Sequence, residues 1–484
     1  MNNFKVKTLC AAIAGIGSLG AMSAAEAVYL NPDGLGQVLI YPYYTVNAKA
    51  GGAAPYQSLL SVVNSTGSAK AVKVRFLEGR NSQEVLDFNL FLSPNDVWVA
   101  GIVPTAAGGA GVFTPDTSCT APVVSKDPLA PTPFVNFLFS GTADDDAGTG
   151  LDRTKEGYVE IIEMGNLTGT TASTVTHGVN GAAPECKNLL DVGTNSSKID
   201  ADTRDPNGGL FGGISLINVL SGEDFSADAV ALDEFRANGE YARPGDTAPD
   251  LSDVDPVATV IYAKQVVTTG ISPFGRDVDA VSAVLMHKTL MNEYVLDKVT
   301  NSTTDWVLTM PTKRYYYNSD AQVEYLFQRN FGETGACDTA AFQIYDREEF
   351  QRPGGFSPPP PAGESPRVCW ESTVISFNNG RALASNNQLT VATAFQNGWA
   401  SITFNPGTYS QAYIDGGAIL YPRYHELPMA NATFYGLPVI GFAAQTFQNG
   451  NIPGTTGGLI QSNYGGNFVH KYQKDIRNIT QPVL

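Results

Sequence analysis

The chain has 484 residues, 43% of them hydrophobic and 16% charged, with a formal net charge of −17 at pH 7. That length supports a large core and more than one domain, and the acidic balance argues against nucleic acid or any polyanionic surface as partner. Its four histidines are scattered and its five cysteines form no CxxC pair, so no zinc motif is present.

The N-terminus carries Lys5 and Lys7, an apolar run from Leu9 to Met22, and an Ala25-Glu26-Ala27 box. This is the pattern of a secretory signal peptide over 1–27, with the mature chain starting at Val28. Cys10 leaves with it. The four remaining cysteines, Cys119, Cys186, Cys337 and Cys369, allow three pairings; the simplest is sequential, in an oxidising compartment. No other stretch has the roughly 20 apolar residues that a membrane-spanning helix needs.

From 37 onward the sequence is a string of strands: 37–46, 57–66, 70–79, 84–93 and 96–103. Val72, Val74 and Phe76 alternate with Lys73 and Arg75, which predicts one buried and one wetter face. Turn residues separate strands at roughly 8 to 12 residue spacing, the pattern of an antiparallel sandwich of immunoglobulin-like architecture. Two excursions, 104–131 and 166–209, carry Cys119 and Cys186, and between and after them stand strands at 134–139, 157–165 and 212–220. Ser226 is placed to cap a short helix over 227–235.

The stretch 242–256, with three prolines and four aspartates, is the expected linker between domains 28–241 and 257–484. Beyond a strand at 257–267, Val281, Val284, Leu285, Met291 and Val295 recur at helical spacing. They predict one long helix over 279–298, apolar around most of its circumference and therefore wedged against a sheet. Strands follow at 305–310, 372–377, 389–395, 399–404, 417–424 and 437–447, with a polar excursion, 331–369, holding Cys337 and Cys369. The expected fold is mainly β: two tandem β-sandwich domains, the second with a long helix.

Catalytic signatures are missing. Ser215 and Ser272 follow the Gly-x-Ser of a nucleophile elbow but lack its last glycine, and no HExxH or phosphate-binding loop occurs. Asp144, Asp146 and Asp152 in DDDAGTGLD form a weak calcium candidate: the oxygen ligands suit a hard cation, but the spacing is not that of an EF-hand. No other cofactor is indicated. Tyrosine groups at Tyr41, Tyr43 and Tyr44, at Tyr315 to Tyr317, and at Tyr421 and Tyr424 would suit sugar stacking or a protein interface if they face outward.

The segments VLIYPYYTV, VVNST with KVRFLEGRNS, GYVEIIEMG, TDWVLTMPTK and GLPVIGFAAQTF together resemble a group of exported or cell-surface proteins of Gram-negative bacteria. The resemblance implies location and transfers no activity and no site residue. The expectation is therefore a secreted or cell-surface, non-catalytic protein with a structural, adhesive or filament-forming role. Its partners would be other surface proteins, itself or glycans, and assembly would use strand edges or the extended Val28 to Gly36 segment. The alternatives are a secreted hydrolase of polysaccharide or ester polymer, and a periplasmic ligand-binding protein with an apolar pocket between its halves.

Overall fold

A computed structural model describes residues 27–49, 55–189, 192–316, 326–327, 336–353, 355–357, 367–406, 411–414, 417–420, 424–453 and 457–480. The predicted signal peptide up to Glu26, Tyr317 and Tyr421 lie outside them. The protein is mainly β, 46% strand and 12% helical, with three α-helices and several antiparallel sheets among the described residues. No helix among them is long and apolar enough to cross a membrane.

Four large sheets carry the fold. Sheet I is ordered Tyr29–Leu30, Val230–Asp233, Val38–Thr45, Glu156–Leu167, Ala69–Glu78, Glu84–Leu92, Cys119–Ala121, with Thr203–Arg204 added against Glu156–Leu167. Sheet II is ordered Glu223–Asp228, Leu210–Asn218, Gln57–Asn64, Val97–Pro104, Ala110–Phe113, Thr132–Pro133. Sheet III is built on Ala341–Asp346, Asn397–Thr403 and Thr289–Val295, and sheet IV on Ser372–Phe377, Thr303–Thr309 and the long hairpin Ile440–Pro453 with Leu459–Val469.

Alternation along one strand shows how the layers stack. In Val38–Thr45, Leu39 and Tyr41 enter the cluster that holds Leu60, Val62 and Trp98 of sheet II, while Val38 and Ile40 enter a second cluster on the opposite face. Sheet IV is split in the same way: Val307, Val374 and Phe442 join the first cluster, and Trp306, Leu308 and Phe377 join the second with Leu290 and Ile402 of sheet III. Sheets I and IV are thus covered on both faces.

That double covering overturns the expected wet face. Every residue of Ala69–Glu78 is buried, Lys70, Lys73 and Arg75 included. Each is neutralised on a neighbouring strand or segment: Lys70 Nζ meets Glu163 at 2.5 Å, Lys73 Nζ meets Asp87 at 2.8 Å, and Arg75 reaches Glu84 and Glu160, each at 2.8 Å. The cover comes partly from the presumed linker, which packs: Leu251 and Val254 are buried, and Lys73 Nζ also donates to the carbonyls of Arg243 and Asp246. Asp250 and Asp253 close a capping box on the turn Leu251–Asp253.

The predicted helix over 279–298 is half right. Val278–Leu285 is helical and wholly buried, but Met286 turns extended, and Thr289–Val295 is a strand paired with Asn397–Thr403. Its helical spacing beyond residue 286 is coincidental, since Leu290 and Tyr294 point inward at strand spacing while Met291 and Val295 do not. Lys474 Nζ donates to the carbonyls of Val284 and Met286 at 2.8 and 2.9 Å, supplying donors where the helix ladder stops. The helix expected over 227–235 is absent: Glu223–Asp228 and Val230–Asp233 are strands of sheets II and I.

Most edges are short. Tyr29–Leu30, Cys119–Ala121, Thr132–Pro133, Gln351–Pro353 and Lys471–Gln473 have two or three residues each. Two longer edges cover one another: the side-chain amides of Asn463 and Asn467 on Leu459–Val469 donate to the carbonyls of Ser221 and Ser226, beside and on Glu223–Asp228. The N-terminal segment expected to seek a partner is tied to its own chain, with Val28 bridged to Ala258 and Gly36 to Leu210.

Candidate functional site

The cysteines pair sequentially, Cys119 with Cys186 and Cys337 with Cys369. The aspartate loop is organised around the residue that the calcium reading passed over. Asp145 receives Arg153 through both oxygens, each at 2.6 Å, and Asn81 at 3.0 Å. Burial raises the Asp145 carboxyl, but these donors outweigh it and hold the group below its ordinary range. Asp144 is spent on a local turn, accepting from the backbone of Asp146 at 3.0 Å. Asp144, Asp146 and Asp152 therefore form no ligand set, and no group of three His, Cys, Asp or Glu side chains among the described residues can hold a metal ion.

Tyr41, Tyr43 and Tyr44 face inward, fully buried, and their hydroxyls bond the Ser61 carbonyl, Glu156 and the Thr154 carbonyl at 2.7, 2.6 and 3.1 Å. Tyr316 is buried too, against Asp279 at 2.6 Å. Glu156 is a junction between the two halves of the chain: it also accepts from Ser385 at 2.6 Å and from the backbone of Asn386 and Asn387 at 2.8 and 3.1 Å. Other carboxyls in this layer are pushed up by loss of water, Glu160 to about 7 against the pull of Arg75 and Asp305 to about 6.

One catalytic-looking constellation among the described residues centres on His177. His177 Nδ1 lies 2.8 Å from Ser93 Oγ and 3.7 Å from Asp96, and its Nε2 lies 3.0 Å from Thr117 Oγ1. A Ser-His-Asp triad places nucleophile and carboxylate on opposite ring nitrogens, whereas Ser93 and Asp96 share one. Ser93 is moreover buried, and its oxygen accepts the His177 backbone N–H at 2.8 Å. Among the described residues, the exposed Thr117 hydroxyl is the partner at the other ring nitrogen. The residues span more than 80 positions of sequence, and no local motif announces them.

An open concavity lies on the outer face of sheet II. Cross-strand register sets two rows there: Asp228, Gly213, Ser61 and Val99 in one, and Ser226, Ser215, Leu59, Gly101 and Phe113 in the other. Glycines and serines in the middle of both rows lower the surface between Leu59, Val99, Phe113 and Pro115, leaving a groove of about 410 Å³. Leu59 is 43% and Val99 40% exposed, and the neighbouring row adds exposed Phe211 and Val97. The Ser215 that resembled a nucleophile stands here as a strand residue, its hydroxyl 2.6 Å from that of Ser226. The groove was missed because small outward residues make a depression only when several strands bring them side by side.

Comparison with models of known protein families, with curated proteins and with solved structures finds no match for this chain. The class is thus defined by fold and site: a disulfide-bonded, multilayered β-protein with an exposed apolar groove on one sheet.

Proposed function

We propose that this is an exported, non-catalytic protein of the bacterial cell surface, built of two sandwich-like halves of immunoglobulin type, whose role is structural and met by self-association. The observation that carries the reading is the groove on sheet II, an apolar depression between exposed Leu59 and Val99 with exposed Val97 and Phe211 beside it. Two disulfides and the resemblance to exported surface proteins support the location. Faces rather than edges would make the contacts, since the edges are short or mutually covered. Light scattering and electron microscopy on the mature, oxidised chain, with and without calcium, test it. Concentration-dependent oligomers or fibres are expected, and a monomer at all concentrations removes the reading.

A secreted hydrolase is the second reading, favoured by the exposed Thr117 hydroxyl beside His177 Nε2. Turnover of short-chain esters by the mature chain, abolished by Thr117→Val, would support it. Absence of turnover leaves that hydroxyl a structural partner of the imidazole.

A further inference from the structure

A second exposed apolar face lies on this same chain. Thr259–Tyr262 and Gln265–Thr268 form an isolated two-stranded hairpin, turned at Ala263 and Lys264, both with positive φ, 50° and 67°. Such turns normally use Asn-Gly, because side chains disfavour this backbone region. Here it costs backbone energy and places a lysine at an exposed tip. The inner face of the hairpin, Val260 and Val267, is buried. The outer face carries the cross-strand pair Ile261 and Val266, 62% and 61% exposed.

We propose that the hairpin of one molecule docks into the sheet II groove of the next, an inference that rests on the self-association proposed above. Ile261 and Val266 enter between Leu59, Val99 and Phe113, over the floor of Gly213 and Ser61. Lys264 reaches the Asp228 end. The match is one of apolar shape and of charge: Lys264 and Asp228 are both exposed, and neither has an ion-pair partner among the described residues. A two-stranded hairpin gains from being covered, since alone it is marginal.

Position in the fold sets the form of the assembly. Val260 and Val267 belong to the buried cluster on the face of sheet I that carries Val38 and Ile40, whereas sheet II packs on the Leu39 and Tyr41 face. Hairpin and groove therefore lie on opposite sides of the sheet I and sheet II pair. Joining two different surfaces is a heterologous contact, which propagates as an open chain unless its rotation closes a ring.

The decisive experiment uses two variants of the mature chain, a hairpin variant, Ile261→Glu with Lys264→Glu, and a groove variant, Val99→Glu with Asp228→Lys. All four positions are exposed or partly so, and an unchanged melting temperature confirms folding of each. Each variant alone should be monomeric at concentrations about tenfold or more above that at which the wild type assembles. Mixed, they should form a one-to-one dimer and stop, because each retains one of the two complementary surfaces. Wild-type assembly that persists in both variants overturns this interface and leaves self-association standing. Mixtures that remain monomeric likewise overturn it. A wild type that never assembles removes the underlying reading as well.

Discussion

Arg75 Nη1 donates to Glu160 across adjacent strands of sheet I at 2.8 Å, with the two side chains 1% and 0% exposed. The guanidinium also holds Glu84 at 2.8 Å, so a single cation is shared by two carboxyl groups in a covered layer. Breaking a buried pair from one side leaves a stranded charge, whereas replacing both partners removes the desolvation cost with the attraction. Arg75→Ala should therefore destabilise by about 3–5 kcal/mol. The triple replacement Arg75→Met with Glu160→Leu and Glu84→Gln, which strands no charge, should cost much less, and urea unfolding of the three proteins measures the difference.

Asp305 provides the pH dependence. Burial lifts its carboxyl from an ordinary value near 3.8 to about 6, although the Leu383 backbone donates to it at 2.9 Å. The folded state then binds this proton more tightly than the unfolded chain, so the contribution to stability is fully present below the unfolded value and lost as pH rises through about 6. Asp305→Asn keeps an acceptor for Leu383 and removes the titration. Between pH 4 and pH 7 the wild type should lose on the order of 3 kcal/mol relative to the variant, seen by urea unfolding at each pH. A constant difference across that range would show that Asp305 does not titrate in it.

The residues that misled the sequence reading explain what was legible. Alternation in Ala69–Glu78 located the strand correctly, because Val72, Val74 and Phe76 do face one core. It could not show that Lys73 and Arg75 face a second covered layer, since their partners Asp87, Glu84 and Glu160 lie on other strands. Local periodicity likewise found the helix at Val278–Leu285, yet carried it past Met286, where pairing with Asn397–Thr403 overrides helical spacing. The groove depends on Gly213, Ser61 and Gly101 coming from three strands, and only sheet register brings them together.

The disulfides differ in the length of chain they close, 67 residues for Cys119–Cys186 and 32 for Cys337–Cys369. In the loop-entropy account these lengths correspond to about 4.4 and about 3.7 kcal/mol. Replacing Cys119 and Cys186 by serine should lower stability somewhat more than replacing Cys337 and Cys369, both measurably, in thermal melts of the oxidised proteins. Equal melting temperatures for wild type and either pair variant would refute that pair's contribution.

Two neighbouring glycines separate stability from assembly. A Cβ on Gly212 would lie 2.1 Å from the Ser61 carbonyl oxygen and 2.4 Å from the Tyr41 hydroxyl, which bond one another at 2.7 Å inside the sandwich. Neither can retreat, because Ser61 is held in the sheet II ladder and Tyr41 is fully buried. Gly212→Ala should therefore cost about 1–3 kcal/mol through overpacking. On Gly213 the nearest atom to a new Cβ is the Ala227 carbonyl oxygen at 3.2 Å, a contact that a small shift relieves. The methyl would point into the groove floor beside Ser61. Gly213→Ala should leave the melting temperature within a few degrees, the scale of about 1 kcal/mol or less, while raising the concentration at which the protein assembles. Scanning calorimetry and light scattering on the two variants should thus give opposite orders of severity, and a Gly213→Ala protein that assembles like the wild type would place the contact surface elsewhere.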